Sequence, residues 1–170
     1  MFFLKQLKHT ITLHPRFFGP DMEEFVKTKL YQDVEGTCTG RYGYIITVVQ
    51  VVSISKGKLI PGLGSAEFVV VYQAIVFKPF KNEVLDGVVK NVNKMGFFVD
   101  VGPLSVFVSS HTIPSDMRFD PNGNPPCYQS EDQTIEKGGA IRLKIIGLKT
   151  EPTDIRAIGT IKEDYLGIIA

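Results

Sequence analysis

The chain has 170 residues and a formal net charge of +1, with 44% hydrophobic and 22% charged residues. Its length suits one medium domain or two small ones, and its composition is that of a globular protein rather than a disordered one. The near-zero charge argues against a polybasic protein that binds nucleic acid through bulk charge. Val and Ile supply 34 residues against 11 Leu and 5 Ala, which predicts a mainly β protein because β-branched residues favour strands.

Several classes of site are not expected. No apolar run approaches the roughly 18 residues of a membrane span, so no membrane partner is predicted. Cys38 and Cys127 are isolated and lack zinc spacing, which predicts free thiols, no metal and no cofactor. No Ser or Cys lies in a nucleophile motif, so we predict a protein that is not an enzyme. An enzyme that uses His111 or the carboxylates is the weaker alternative.

The first half combines strands with one helix. Its strands are predicted at 2–7, 10–13, 40–54 and 66–77. A turn follows between His14 and Pro20, and a Gly- and Pro-rich loop occupies 56–64. Residues 21–33 are predicted as a helix, because Met22, Phe25, Val26 and Leu30 recur at helical spacing and acidic residues occupy the first turn.

The second half contains five short strands and one long polar insertion at 114–139. The strands are predicted at 83–92, 97–101, 104–108, 141–147 and 155–161. This pattern is typical of a five-stranded Greek-key barrel of the oligonucleotide-binding (OB) type. We therefore predict a mainly β protein with some α structure (α+β) and domains at 1–80 and 81–170. The formal charges of these domains are +3 and −2.

The faces of the predicted barrel suggest a binding site. Alternation along the strands turns Phe98 and Phe107 outward on neighbouring strands, with Arg142, Lys144 and Arg156 outward on the last two. Exposed rings and nearby cations are what single-stranded nucleic acid requires, because bases stack on rings and phosphates bind Lys or Arg. Two alternatives without a binding function stay open. The rings could pack against the first domain or under the insertion, and the cations could belong to an ordinary solvated face.

Five segments together resemble one known family. They are LHPRFFGP (13–20), VEGTCTGRYGY (34–44), VFKPFK (76–81), NPPCY (124–128) and IKEDYLG (161–167). The chain resembles the seventh-subunit family of eukaryotic RNA polymerase II, the larger partner of the polymerase stalk, over essentially its whole length. The resemblance implies a ribonucleoprotein-like N-terminal tip domain that docks on the polymerase core, and a C-terminal barrel of the ribosomal protein S-one type that binds RNA.

The resemblance also implies partners. These are the fourth subunit in a heterodimer, the largest and sixth core subunits, and single-stranded RNA that emerges at the exit region. For docking on the core it points to the loop 57–64 and the turn 15–20. The residues expected there are Pro15, Phe18, Ile60, Pro61 and Leu63, with Ile60 and Leu63 as exposed apolar side chains. The alternative is that the apolar loop residues fold back on adjacent strands.

The residue-by-residue match to RNA-binding barrels is partial. Phe98 occupies the exposed aromatic position after Gly96, and Arg156 the outward basic position of the fifth strand. Met95 stands where an aromatic residue is frequent, and Ser109 rather than His111 aligns with a histidine of the family. These departures favour RNA binding of modest affinity over tight sequence-specific binding.

The function predicted from the resemblance is a non-catalytic subunit of nuclear RNA polymerase II that supports initiation and transcript handling. A second location in the cytoplasm is left open. The alternatives are a free OB-fold RNA-binding factor of translation or mRNA decay, and a stalk subunit of another nuclear polymerase.

Overall fold

The computed structural model describes residues 1–169. It contains one α-helix, α1 (Met22–Val34), and two short 3-10 helices, Pro15–Phe17 and Ser110–Thr112. The strands of the first half are β1 (Phe2–Leu13), β2 (Cys38–Thr39), β3 (Gly43–Ile54), β4 (Lys58–Leu59) and β5 (Ala66–Phe77). Those of the second half are β6 (Val84–Asn93), β7 (Gly96–Val101), β8 (Leu104–Ser109), β9 (Arg118–Asp120), β10 (Cys127–Gln129), β11 (Thr134–Ile135), β12 (Ala140–Thr150), β13 (Ile155–Thr160) and β14 (Gly167–Ile168). In the described part of the chain, no helix is both long and apolar enough to cross a membrane.

Two compact units divide the chain, Met1–Lys78 and Pro79–Ala170. The sheet of the first unit has the order β1-β5-β3-β2, and β4 also pairs with β5. β1 pairs with β5 without interruption from Phe2 to Leu13, so the prediction of two short strands is wrong here. The sequence pattern predicts a break at the polar residues Lys8 and His9. In the structure these residues pair with Val71 and Val70 of β5, so β1 continues through this position.

The helix covers one face of this sheet. Val26, Leu30 and Val34 recur every four residues along α1 and are buried in the core of the unit. Phe25 falls outside this stripe, is 41% exposed, and lies beside the ring of Phe17 at a centroid distance of 5.0 Å. The helix end is tied to the sheet because the carboxylate of Glu35 accepts hydrogen bonds from the neighbouring strand β3.

Strand β3 is irregular in its pairing with β5. Its register shifts three times, and each shift leaves one apolar residue of β3 without a partner on β5. These extra residues are Ile46, Val49 and Val52, and all three are exposed. Shifts of this kind are β-bulges, which increase local twist and change the face that a side chain occupies.

The second unit contains a closed barrel of five strands. They follow the order β13-β8-β7-β6-β12, and β12 closes the ring by pairing with β13. β13 runs parallel to β8, whereas the other neighbouring pairs are antiparallel. Inward-facing side chains on alternate positions are fully buried, among them Phe97, Val99, Val106, Leu143 and Ile145. The mainly β fold with an OB-type barrel is therefore confirmed.

The polar insertion between β8 and β12 is more ordered than a plain loop. It folds into a three-stranded sheet of order β11-β10-β9. The ring of Tyr128 lies between Phe119, at 5.3 Å, and the barrel residue Phe97, at 6.2 Å between centroids. Its hydroxyl donates to the carbonyl oxygens of Asn93 and Lys94, at 2.8 and 3.2 Å. The insertion therefore packs on the barrel core and on the turn between β6 and β7.

Candidate nucleic-acid interface

Two aromatic side chains lie side by side on the outer face of the barrel. Phe98 of β7 is the register partner of Phe107 of β8, and their ring centroids are 5.0 Å apart at an interplanar angle of 46°. Phe98 is 37% exposed and Phe107 is half-buried. The outward position of Phe98 follows from alternation, because Phe97 and Val99 on either side of it fill the core. The sequence prediction of neighbouring outward rings agrees with this geometry.

A glycine allows β7 to begin beside β8. Gly96 pairs with Ser109, and its φ of +147° is rarely adopted by other residues. A Cβ atom at this position would collide with the carbonyl oxygen of Val108. Gly96 therefore lets the two strands approach closely at the position from which Phe98 is presented.

A third apolar side chain extends the pair, and the sequence analysis missed it. Phe107 pairs in parallel register with Ile158 of β13, which is 48% exposed. Phe98, Phe107 and Ile158 thus form a row across three adjacent strands, which we call the apolar row. Alternation could identify Ile158 as outward, but only the parallel pairing of β13 with β8 brings it beside the rings.

Arg142 does not lie beside the apolar row. It sits on β12 opposite Asp86 of β6, and its Nε and Nη2 atoms donate to the carboxylate at 2.8 and 3.2 Å. This hydrogen bond, more than the charge of the guanidinium, lowers the pKa of the Asp86 carboxyl. The strand β6 separates Arg142 from Phe98, and Arg142 is already engaged in a bidentate ion pair.

The other two predicted cations differ in availability. Lys144 donates to Glu163 at 2.9 Å, and its side chain is only 25% exposed. Arg156 lies on β13 two residues before Ile158, and its side chain is 69% exposed. The Nε atom of Arg156 is 3.7 Å from Asp154, a loose contact. Of the three predicted cations, Arg156 is the one that shares a strand with the apolar row and stays accessible.

The insertion does not cover the rings of Phe98 and Phe107, in contrast to the alternative hypothesis that they pack under it. Its ring contact with the barrel is made by Tyr128 to Phe97, a core residue, while Phe98 keeps 37% of its surface exposed. The insertion also carries five carboxylates and two cations between residues 114 and 139. This excess of negative charge disfavours the approach of phosphates at that end of the barrel.

The loop predicted for docking presents different side chains from those expected. Leu63 is 70% exposed and Leu59 is 65% exposed, whereas Ile60 is half-buried. Ile60 lies at the base of the loop, where its amide donates to the carbonyl of Ser65 at 2.8 Å and its own carbonyl accepts from the amide of Leu63. The expectation of an exposed Ile60 is therefore wrong, and Leu59 takes its place next to the exposed Pro61.

The second predicted docking segment lies beside this loop. Pro15 begins a short 3-10 helix, in which the Nδ1 atom of His14 accepts from the amide of Arg16 at 3.2 Å. Phe18 follows it and is 40% exposed. A Cβ atom at Gly64 would lie 3.7 Å from Cγ of Pro15, so the turn and the loop form one surface.

No group of three or more His, Cys, Asp or Glu residues among positions 1–169 could hold a metal ion. His111 is exposed, and its amide donates to the hydroxyl of Ser109 at 3.3 Å. Burial raises the pKa of the Cys127 thiol, which makes it a poor nucleophile.

Comparisons with known proteins match both units. Residues 8–64 match the model of the SHS2 domain found in the N terminus of Rpb7p/Rpc25p/MJ0397, and residues 78–157 match the S1 RNA binding domain. The chain is 58% identical over 170 residues to DNA-directed RNA polymerase II subunit rpb7 of Schizosaccharomyces pombe, covering 99% of both proteins. The chain belongs to the Rpb7 family. It is also 52% identical to subunit RPB7 of Saccharomyces cerevisiae, over 99% of this chain and 100% of that protein.

A more distant relative shares the same extent. DNA-directed RNA polymerase subunit Rpo7 of Sulfolobus acidocaldarius is 28% identical, over 99% of this chain and 93% of that protein. As a member of the Rpb7 family, the chain is a non-catalytic stalk subunit of RNA polymerase II and carries an S1 domain. A nuclear location follows from this membership.

Proposed function

We propose that the chain pairs with the fourth subunit of RNA polymerase II, docks near the RNA exit region, and binds emerging single-stranded RNA. The observation that carries the proposal is the apolar row, because exposed rings on strands of an OB-type barrel are stacking surfaces for unpaired bases. This activity would support transcription initiation and the handling of the transcript.

The near-neutral charge fits a tethered binder. A free protein would need several cations to hold RNA, since phosphate contacts dominate affinity in solution. A subunit fixed at the exit site meets the transcript at an effective concentration of about millimolar, at which weak stacking suffices. The acidic insertion and the ion-paired Arg142 and Lys144 are tolerable under this condition.

The joined surface of the turn 15–20 and the loop 57–64 supports the proposed docking on the largest and sixth subunits. Leu59 and Leu63 expose about two thirds of their surface, and Phe18 adds an exposed ring. Exposed apolar side chains grouped on loops are typical of a protein interaction site. Their partners in this proposal are apolar pockets of the polymerase core.

Two measurements test the proposal. Affinity purification through this subunit should recover the fourth subunit and the core subunits of polymerase II. Photoreactive nucleotides in the nascent transcript should crosslink to peptides from β7 and β8, with peptides from the acidic insertion as an internal control. A chain recovered with RNA but without polymerase subunits would refute the proposed pairing and docking and favour the free RNA-binding factor. Crosslinks confined to the insertion would refute the assignment of the apolar row.

A further inference from the structure

A β-bulge decides which side chains of β12 face outward. Before the bulge, Ile141, Leu143 and Ile145 point into the barrel and are fully buried. Simple alternation would continue this pattern inward through Gly147 to Lys149. The register shift between Ile145 and Gly147 inserts one residue and reverses the pattern. Beyond it Lys149 is the partner of the outward Arg156, and its side chain is 73% exposed.

This pairing sets two positive charges directly opposite each other. Like charges at opposed positions of an antiparallel ladder are destabilising. The carboxylates nearby compensate only loosely: Glu151 lies 3.5 Å from Nζ of Lys149, and Asp154 lies 3.7 Å from Nε of Arg156. By contrast, Arg142 approaches Asp86 to 2.8 Å in the same barrel. A facing pair of accessible, weakly compensated cations is a suitable site for an anion.

The two cations lie alongside the apolar row. Arg156 is two residues before Ile158 on β13, and side chains two residues apart on a strand share a face and are about 6.6 Å apart. Gly147, the partner of Ile158 on β12, adds no side chain between the row and Lys149. Lys149 and Arg156 therefore form a second row beside the apolar row, on the same face of the barrel.

The outward side chains in line with Lys149 and Arg156 change from cations to a carboxylate across the sheet. Asp100 lies on β7 two residues after Phe98, and its pairing partner on β8 is Ser105. The carboxylate of Asp100 is 3.8 Å from Nζ of Lys90 and is 44% exposed. The outward side chain of this row is thus a carboxylate on β7, with Lys90 beside it, and a cation on both β13 and β12. The two adjacent cations offer a phosphate the more favourable end of the row.

We propose that Lys149 and Arg156 form a two-cation phosphate clamp for single-stranded RNA whose bases stack on the apolar row. The proposal rests on the RNA-binding function proposed above and names Lys149 as a binding residue. The RNA backbone passes over β12 and β13, and the bases reach towards β8 and β7. Arg142 and Lys144 take no part in the clamp, because their own carboxylates already neutralise them at close distance.

The test is the salt dependence of binding between the full-length chain and a single-stranded RNA oligonucleotide of mixed sequence. Each phosphate contact on a single strand contributes about 0.7 to the slope of log K against log salt concentration. Lys149→Gln should reduce the magnitude of that slope by about 0.7, and Lys149→Gln with Arg156→Gln by about 1.4. The matched control is Lys162→Gln, which removes the same charge from an exposed lysine of the same unit and should leave the slope unchanged.

A stability measurement separates binding from a structural role. Because Lys149 faces a like charge, Lys149→Gln should leave the midpoint of urea unfolding unchanged or raise it while it weakens RNA binding. A slope for Lys149→Gln equal to that of Lys162→Gln would overturn the clamp. If Phe98→Ala still weakens binding in that case, the RNA-binding function stands and only the clamp fails. If the unaltered chain does not bind the RNA, both fail.

Discussion

Removal of the Phe98 ring should weaken RNA binding without unfolding the barrel. A base stacked on an aromatic side chain contributes about 1–3 kcal/mol, and a change of 1.4 kcal/mol is a factor of about ten in affinity. Phe98 is 37% exposed, and its ring lies beside the ring of Phe107. The exposed surface of the Phe98 ring is large enough to stack a single base. We therefore expect Phe98→Ala to reduce affinity by roughly tenfold, towards the lower half of that range.

The barrel should remain folded. Phe98 lies on the outer face and is 37% exposed, so its truncation should cost less than the roughly 3–5 kcal/mol of a fully buried Phe→Ala change. The ring pair accounts for about 0.5–1.5 kcal/mol of this loss, against a total stability of about 5–15 kcal/mol for a domain. Fluorescence anisotropy with single-stranded RNA gives the affinity, and urea unfolding gives the stability. The matched control is Phe25→Ala, because Phe25 is 41% exposed and also lies 5.0 Å from a second ring, that of Phe17 in the first unit. Unchanged RNA affinity in a folded Phe98→Ala chain would refute the stacking site, as would an equal loss in Phe25→Ala.

Three further predictions concern docking, pH and the close approach of strands. Leu63→Asp should release the chain from the polymerase core in co-purification. The control Met95→Asp, at a turn of the barrel and 73% exposed, should not. Equal retention of both variants would exclude the loop 57–64 as the docking site. The pKa of Asp86 is lowered in the folded state, so its ion pair with Arg142 stabilises the fold above the unfolded value of 3.8 and is lost as pH falls below it. The urea stability of the unaltered chain should therefore converge on that of Asp86→Asn in acid, and a constant gap would contradict this. Gly96→Ala should cost about 2 kcal/mol or more in urea unfolding, because the new Cβ meets the β8 backbone, and a neutral result would disprove the tight approach.

Local patterns were sufficient to predict much of the fold. Alternation along β7 and β8 correctly separated the buried Phe97 from the outward Phe98 and Phe107. The helix was predicted within one residue at each end, since its acidic first turn and buried stripe are local signals. The five barrel strands were also recognisable, because each is a short β-branched run bounded by turn residues.

The parts that sequence reasoning missed depend on pairing between distant segments. Ile158 joins the apolar row only because β13 lies parallel to β8, a contact that spans about fifty residues of chain. Lys149 turns outward only because β12 bulges at Ile146 against β13. Gly147, directly after Ile146, is compatible with a bulge, but the predicted strand ends at this glycine. The sequence pattern therefore assigned Lys149 to no strand and to no face.

The same distinction between local pattern and distant pairing applies to the predicted site residues. Arg142 and Lys144 were correctly placed outward, yet each finds a carboxylate that is far away in sequence, Asp86 and Glu163. An outward cation is visible in a strand pattern, whereas its neutralising partner is a property of the sheet. This is why the pattern suggested three available cations and the folded barrel leaves Arg156 as the accessible one of those three.

The hydrogen bonds of Tyr128 link the insertion to the turn that precedes β7. Its hydroxyl holds the backbone of Asn93 and Lys94, and the turn that they begin carries Met95 and leads into Gly96 and β7. Local opening of the insertion would therefore loosen the turn next to the apolar row. The two segments should open and close as one cooperative unit, so that an RNA bound on β7 and β8 would slow hydrogen exchange in β10 although it never touches that strand.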